Sequence, residues 1–301
     1  MRIGSLLVLV LILFSVGCLS HRPVPERRVN ITDDLGYTVM VPVPVRRIVS
    51  LAPGETEIVG ALGRTDLLVG RSTACTWPPE VLGVPAVGGY RTYSVAAVMA
   101  RDPDLVLATP RVEPTRLDEL RKKGYAVLVF APETFEEIFR NIWVVGEAIG
   151  EQQNASRVVA ELQVEEREFQ DRIRGLPTVR AIYVMHDDPL YVAGNLTYEN
   201  SLMAGAGGLN LMAGADGYLM TTEESILLYN PDVILVPAGD PDGSSTLADR
   251  IAARPAFANL SAVRNHRICA VDPHISHWPS PRVVQGLELF SVCLHSGGRD
   301  S

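Results

Sequence analysis

A chain of 301 residues has room for two domains or one large one, and with 47% hydrophobic and 21% charged residues it is neither disordered nor fibrous in composition. A formal net charge of −8 argues against a nucleic-acid partner, because phosphate binding needs a basic face. The first residues read as an export address. Arg2 is the one early charge, and Ile3 to Val16 is apolar but shorter than the roughly 20 residues of a membrane span. Gly17-Cys18 and a polar, proline-containing stretch follow. A short apolar region, a small residue and a cysteine form the pattern of a lipoprotein signal peptide. Residues 1–17 would be removed, Cys18 would carry acyl chains into the membrane, and residues 18–28 would be a tether. Ser15 stands where such signals usually carry Leu. A plain secretory signal and an uncleaved N-terminal anchor are the alternatives, and all three place the folded part outside the cytoplasm.

Val29 to Val45 reads as a hairpin turning at Asp33-Asp34-Leu35-Gly36. A strand at Arg47–Leu51 turns through Ala52-Pro53-Gly54 into a helix from Glu55 to Leu62. A strand at Leu67–Gly70 leads to loops at Thr73–Pro79 and Val87–Tyr90. Beyond them come a helix Val95–Arg101, a strand Leu105–Ala108, a helix Arg116–Lys123 stopped by Gly124, and a strand Ala126–Phe130. Thr134 and Glu137 have the spacing of a capping box that opens a helix reaching Ile149. Strand alternating with helix predicts a parallel sheet covered on both faces.

Gln153 to Leu176 is different. Ala155, Leu162, Phe169 and Leu176 recur every heptad, with Val158, Val159 and Ile173 on the same side and charges opposite. The spacing predicts a rod of about 30 Å, either a rigid connector between two lobes or a surface helix of one large domain. The alternation then resumes: strand Val179–Met185, helices Asn200–Ala206 and Thr222–Tyr229, strand Asp232–Val236, a helical region Ile251–Leu260 broken by Pro255, strand Arg267–Val271 and helix Arg282–His295. Arg101-Asp-Pro103-Asp-Leu-Val-Leu107 is echoed by Tyr229-Asn-Pro231-Asp-Val-Ile-Leu235. Two similar lobes, 29–150 and 178–301, about a connector at 151–177 are the economical reading.

Two such lobes face each other across a cleft, and α/β sheets bind ligands at the loops on the carboxyl ends of their strands. The loops expected there carry Trp77, Tyr90, Tyr93, Tyr191, Tyr218 and Trp278, in a chain with only 6% aromatics. That set suits a large flat or apolar ligand; lobe packing is the plainer alternative for each residue. Catalytic motifs are missing. His186-Asp187-Asp188 and His274-x-x-His277 could be read as metal or acid/base clusters, but neither has an obvious third ligand, and hydrogen-bonded histidines are the simpler reading. Glu55 and Glu57 fit a helix start, where a carboxylate favours the dipole. By the symmetry of the lobes, Glu113 and Glu224 are candidates for exposed carboxylates at the same end of each lobe that dock a membrane partner against its arginines, or for solvated helix-start residues. Beyond Cys18, Cys269 and Cys293 are the pair expected to bond, with Cys75 left over.

The ordered set ITDDLGYTVMVP, RRIVSLAPGETEIVGALG, RDPDLVLA, the connector, YNPDVILV and SPRVVQGLELF resembles the substrate-binding proteins of ABC importers whose lobes are joined by a helical backbone. The match runs from Val29 to His295. Cys75-Thr-Trp-Pro-Pro79-Glu80 and Val87-Gly88-Gly89-Tyr90 bring it nearest to the cobalamin-binding members. The resemblance implies a class III periplasmic-binding-protein fold: two α/β lobes, each a mostly parallel sheet flanked by helices, moving little about one long helix. It implies a monomeric, lipid-anchored receptor without catalytic residues, bound metal or cofactor, which carries cobalamin as cargo to a permease. Trp77, Tyr90, Tyr191 and Tyr218 would pack on the corrin ring, with Tyr93, Trp278 and Arg282 beside them. Glu224 and Glu113 would dock the permease. Several ring positions carry Tyr where the family often has Trp. Siderophore and haem receptors share the scaffold, and Arg71, Arg91, Arg282 and Tyr90 suit that alternative. A surface metal-dependent hydrolase built on His186, His274 and His277 is the reading from another class.

Overall fold

Strands that bury every side chain belong to a sheet covered on both faces, and such sheets are parallel. The N-terminal lobe has three of them. The computed structural model describes residues 27–239 and 245–296; the expected signal peptide, Cys18 and most of the tether lie outside that range. A hairpin of β1 (Arg27–Thr32) and β2 (Thr38–Val43) comes first, two residues inside the expected tether. The strands β3 (Ile48–Ser50), β4 (Leu68–Arg71), β5 (Leu105–Ala108) and β6 (Val127–Val129) then alternate with helices α1 (Pro53–Ala61), α2 (Val95–Met99), α3 (Pro114–Lys122) and α4 (Phe135–Ile149). The sheet is parallel, in the order β4-β3-β5-β6. Helix α1 starts two residues before the expected Glu55, because Pro53 supplies a first helical residue that needs no amide donor. Thr134 and Glu137 form the capping box that opens α4.

The connector is α5 (Gln152–Ile173), about 33 Å long. Ala155, Val158, Val159, Leu162 and Phe169 are its buried stripe. Leu176, expected to continue that stripe, lies beyond the helix and is 47% exposed. Gly150 and Gly175 have left-handed backbones at either end. Helix α5 lies so close against α4 that a Cβ on Gly146 would stand 2.6 Å from the Ala155 methyl.

The second lobe contains β7 (Val179–Asp187), β8 (Leu190–Ala193), β9 (Gly208–Asn210), β10 (Tyr218–Met220), β11 (Val233–Pro237) and β12 (Ile268–Val271). Its helices are α6 (Tyr198–Gly205), α7 (Glu223–Tyr229), α8 (Leu247–Ala252), α9 (Ser261–Arg264), α10 (Pro273–Ser276) and α11 (Val283–His295). The parallel order β9-β7-β11-β12 repeats that of the first lobe. Strands β8 and β10 extend it antiparallel from the far end of β7. These three- and four-residue strands are too short for periodicity to reveal, and the sequence reading lacks β8, β9 and β10.

The internal echo has a structural cause. Asp102 and Asn230 both adopt the left-handed conformation, at φ 45° and 43°, which Asp and Asn tolerate best after Gly. The next acidic residue then enters the sheet: Asp104 N–H donates to Arg47 O at 2.9 Å, and Asp232 N–H to Arg180 O at 2.8 Å. Those two arginines reach back to the helix ends, Arg47 Nε to Asp102 O and Arg180 Nη2 to Tyr229 O, each at 2.7 Å.

The lobes share one core. Ile48, Leu105 and Ile142 of the first, Val158 and Leu162 of α5, and Tyr183, Leu202 and Phe290 of the second belong to a single apolar cluster. The outer face of each sheet has a smaller cluster of its own. Two sheets resting on the same central helices have little freedom to hinge. Cys269 on β12 and Cys293 on α11 are bonded, pinning the last helix to the last strand, while Cys75 is free and buried.

Candidate functional site

Parallel strands end at one edge of each sheet, and the loops leaving those ends meet between the lobes. They enclose a cavity of about 310 Å³. The first lobe contributes Glu55 from the first turn of α1, Thr109 and Arg111 after β5, and Phe130 after β6. From the second come Tyr198 at the start of α6, Tyr218 on β10, and His277 and Trp278 between α10 and α11. The wall is apolar and aromatic with a few polar groups, the usual build of a small-molecule site.

Two contacts bridge the cleft. The rings of Tyr90 and Trp278 meet edge to face, centroids 4.8 Å apart. Arg111 donates a hydrogen bond to the Tyr218 hydroxyl, with its guanidinium carbon 4.8 Å from the ring centroid. The same hydroxyl donates to Glu199 Oε2 at 2.8 Å. Glu199 is fully buried, and desolvation raises its pKa above the usual carboxylate range.

Burial sets the protonation of the other titratable groups in the wall. The Glu55 carboxyl, 6% exposed, is pushed up to about 8, chiefly by desolvation, and is a neutral acid at neutral pH. Glu133 is raised too, first by burial and then by Glu137. His277 is held down to about 4 by burial and by the charge of Arg111, so its imidazole is neutral. Its Nε2 lies 3.1 Å from the Tyr183 hydroxyl, which is 3.0 Å from Ser276 Oγ.

This fold and cleft have counterparts among known proteins. Residues 48–274 match the family described as periplasmic binding protein. The chain belongs to that family. Among its relatives, the ABC transporter substrate-binding lipoprotein YvrC of Bacillus subtilis is 30% identical over 275 residues, spanning 89% of this chain and 85% of the relative. A vitamin B12-binding protein of Vibrio cholerae is 26% identical over 256 residues, spanning 84% and 90%. The solved periplasmic heme-binding protein RhuT of Roseiflexus sp. RS-1, in apo form, superposes with a TM-score of 0.73 at 28% identity, covering 83% of this chain and 99% of its own. This periplasmic binding protein is therefore of the ABC-importer substrate-binding type, a binding rather than a catalytic family.

The aromatic residues expected at the site separate into groups. Tyr218 and Trp278 line the cavity of the periplasmic binding protein, and Tyr90 touches it through Trp278. Trp77 is 47% exposed and stacks under Arg282, whose Cζ is 5.3 Å from the ring centroid; it stands at the lobe seam, outside the cavity wall. Tyr191 is on the open face of β8 opposite Met220, also outside the wall. Tyr93 corrects the expectation: it is fully buried in the first lobe's outer cluster, because its position on the strand-like turn before α2 points inward. Arg282 is likewise not open to cargo, since Glu57 and the His274 carbonyl occupy its guanidinium.

The carboxylates expected to dock a partner are both exposed, Glu113 at the residue before α3 and Glu224 in the first turn of α7. They are not equivalent by lobe symmetry, however. Glu224 stands six residues before its left-handed cap, Asn230; the residue six before Asp102 is Ala96, not Glu113. The histidine clusters are used locally: Asp188 N–H donates to His186 Nδ1 at 3.2 Å, Asp187 pairs with Arg250, and His277 meets Tyr183. Among the described residues no three His, Cys, Asp or Glu converge as a metal site.

Sequence reasoning missed Arg111, Glu55, Glu199 and His277 as parts of the cleft. Arg111 had a usable signal, since it sits in the loop that leaves the carboxyl end of the buried strand β5. Glu55 had none, because a carboxylate at a helix start looks the same whether the helix faces solvent or another lobe.

Proposed function

We propose that this periplasmic binding protein is a monomeric receptor, anchored outside the cytoplasm through lipid on Cys18, that captures cobalamin or a related corrinoid and delivers it to an ABC permease. The observation that carries the reading is the inter-lobe cavity, walled by Trp278, Tyr218, Phe130 and Tyr198 with Tyr90 against Trp278. Flat aromatic faces with few charges suit a large ring whose polar groups lie at its rim. The vitamin B12-binding relative supports this choice of cargo. At about 310 Å³ the cavity is at the small end of ligand sites, which run from about 300 to 1,000 Å³. A corrinoid would enter by parting the Tyr90–Trp278 and Arg111–Tyr218 contacts through side-chain rotation, since the shared core leaves the lobes little hinge. Glu224, exposed at the start of α7, would meet a basic patch on the permease, with Glu113 as its less symmetric companion.

The heme-binding neighbour favours a second reading, a haem or ferric-siderophore receptor, and one experiment separates the two. The mature protein is incubated with cyanocobalamin, hemin or a ferric siderophore, desalted, and examined for retained absorption. A corrin band that stays with the protein supports the proposal. Retention of hemin or the iron chelate alone replaces the cargo, and retention of none refutes it.

A further inference from the structure

Among the described residues, Arg111 is the one lysine or arginine in the cavity wall. It makes no ion pair among the described residues, where Arg64, Arg121, Arg140, Arg250, Arg254 and Arg282 all do. Its hydrogen-bond partner is a neutral phenol on the opposite lobe. A guanidinium bonds an oxyanion more strongly than a neutral oxygen, because both partners are charged, and it can do so in two parallel bonds rather than one. Among the described residues no nearby carboxylate pairs with it: Glu55 is a buried neutral acid, Glu133 of the same wall makes no ion pair with it, and Glu199 is held behind the phenol it binds.

We propose that Arg111 reads the charge of the cargo: parked on Tyr218 when the cleft is empty, it swings onto an anionic substituent of the ligand, and so selects cargo that carries an oxyanion at its rim. The inference rests on the reading of the cleft as the cargo site and adds to it the ligand group that the site demands. Glu199 makes the exchange inexpensive. When Arg111 leaves, the Tyr218 hydroxyl keeps its 2.8 Å bond to Glu199, so the swing leaves no buried phenol unsatisfied. The exchange also removes one of the two bridges that narrow the cleft, so the ligand group that pairs with Arg111 is the one that opens the way. The phosphodiester of a cobalamin and the carboxylates of a haem or ferric chelate share this chemistry.

The test titrates wild type, Arg111→Gln and Tyr218→Phe with two matched pairs, following tryptophan quenching. Cyanocobalamin is set against dicyanocobinamide, which keeps the corrin and lacks the phosphodiester; hemin is set against its dimethyl ester. Wild type should prefer the anionic member of the pair it binds by about tenfold or more. Arg111→Gln should bring the two members within about threefold of each other. Tyr218→Phe, which removes the parking oxygen, should bind the anionic ligand more tightly than wild type. A preference confined to the hemin pair would overturn the corrinoid reading and leave the role of Arg111 standing. Binding of both members of a pair equally by wild type, or an unchanged ratio in Arg111→Gln, would overturn the role of Arg111 and leave the cargo site standing.

Discussion

Arg282, at the mouth of the last helix, closes on Glu57 of the first helix with two hydrogen bonds, Nη2 to Oε1 at 2.5 Å and Nε to Oε2 at 2.8 Å. The pair ties lobe to lobe across 225 positions of sequence, with the side chains only 15% and 3% exposed. Removing one partner leaves a buried charge uncompensated, which costs about 3–5 kcal/mol. Arg282→Met should therefore destabilise the protein by that amount in urea melts, and the double variant Glu57→Met/Arg282→Met should regain much of it. Because Arg282 also stacks on Trp77, the single variant should shift tryptophan emission to the red. Equal stability of the single and double variants would mean that the ion pair is not the strut.

Gly54 is the second tie. A Cβ there would stand 2.2 Å from the Pro279 carbonyl oxygen, a backbone atom of the other lobe. Its φ is not in the left-handed region, so the requirement is for space alone. Gly54→Ala should lower stability by about 1–3 kcal/mol, the usual range for overpacking, and weaken ligand retention by shifting Trp278 beside it. A melt that matches wild type would show that the seam yields.

Glu55 links stability to pH in a defined direction. Its folded carboxyl titrates at about 8 against 4.5 for the free group, because burial disfavours the anion. Between these values the folded chain holds a proton that the unfolded chain has lost. That contribution to stability is therefore complete below about 4.5 and is lost as pH rises through 8. Glu55→Gln, neutral at every pH, should be more stable than wild type at pH 9 and should lack the decline across this window. Taking the difference between the two proteins removes the contributions of Glu199 and His277. Parallel stability profiles would mean that Glu55 is solvated.

The disulfide closes a loop of 24 residues in sequence separation between β12 and α11. A loop of that size is worth about 3 kcal/mol through restriction of the unfolded chain. Cys269→Ser/Cys293→Ser should lose about that much, and a reductant should lower the melting temperature of wild type but not of the variant. Cys75, buried and free, should resist alkylation until the protein unfolds.

What the sequence disclosed follows from range. The heptad of α5, the Thr134 capping box and the echo of Arg101–Leu107 in Tyr229–Leu235 are local, each set within a few residues, and all were legible; the left-handed backbones at Asp102 and Asn230 that cause the echo were not. Trp278 lies on an inter-helix loop and Tyr218 on the short strand β10, and both line the cavity between the lobes. Tyr93 differs because a tyrosine one residue before a helix N-cap, here Ser94, can point either way, and the packing of the lobe's outer cluster decides it. Arg282 went wrong because its partner Glu57 lies in another lobe. Glu55, Glu199 and Arg111 derive their roles from desolvation and cross-lobe approach, quantities that no window of sequence contains.

The three tryptophans give the last prediction its contrast. Trp143 lies on α4 in a groove against α5, Trp77 at the seam and Trp278 in the cavity wall. If cargo is seated in the cavity, Trp278 is the ring it covers. Fully burying a large apolar side chain is worth about 1.5–3 kcal/mol, so Trp278→Ala should weaken corrinoid binding by about tenfold or more and remove most of the quenching signal. Trp77→Ala should change affinity only modestly, since its ring packs against Arg282 rather than the cavity. Trp278→Phe should hold an intermediate affinity, keeping a ring against Tyr90 while losing area. Equal losses from Trp77→Ala and Trp278→Ala would move the binding surface out of the cavity and onto the seam.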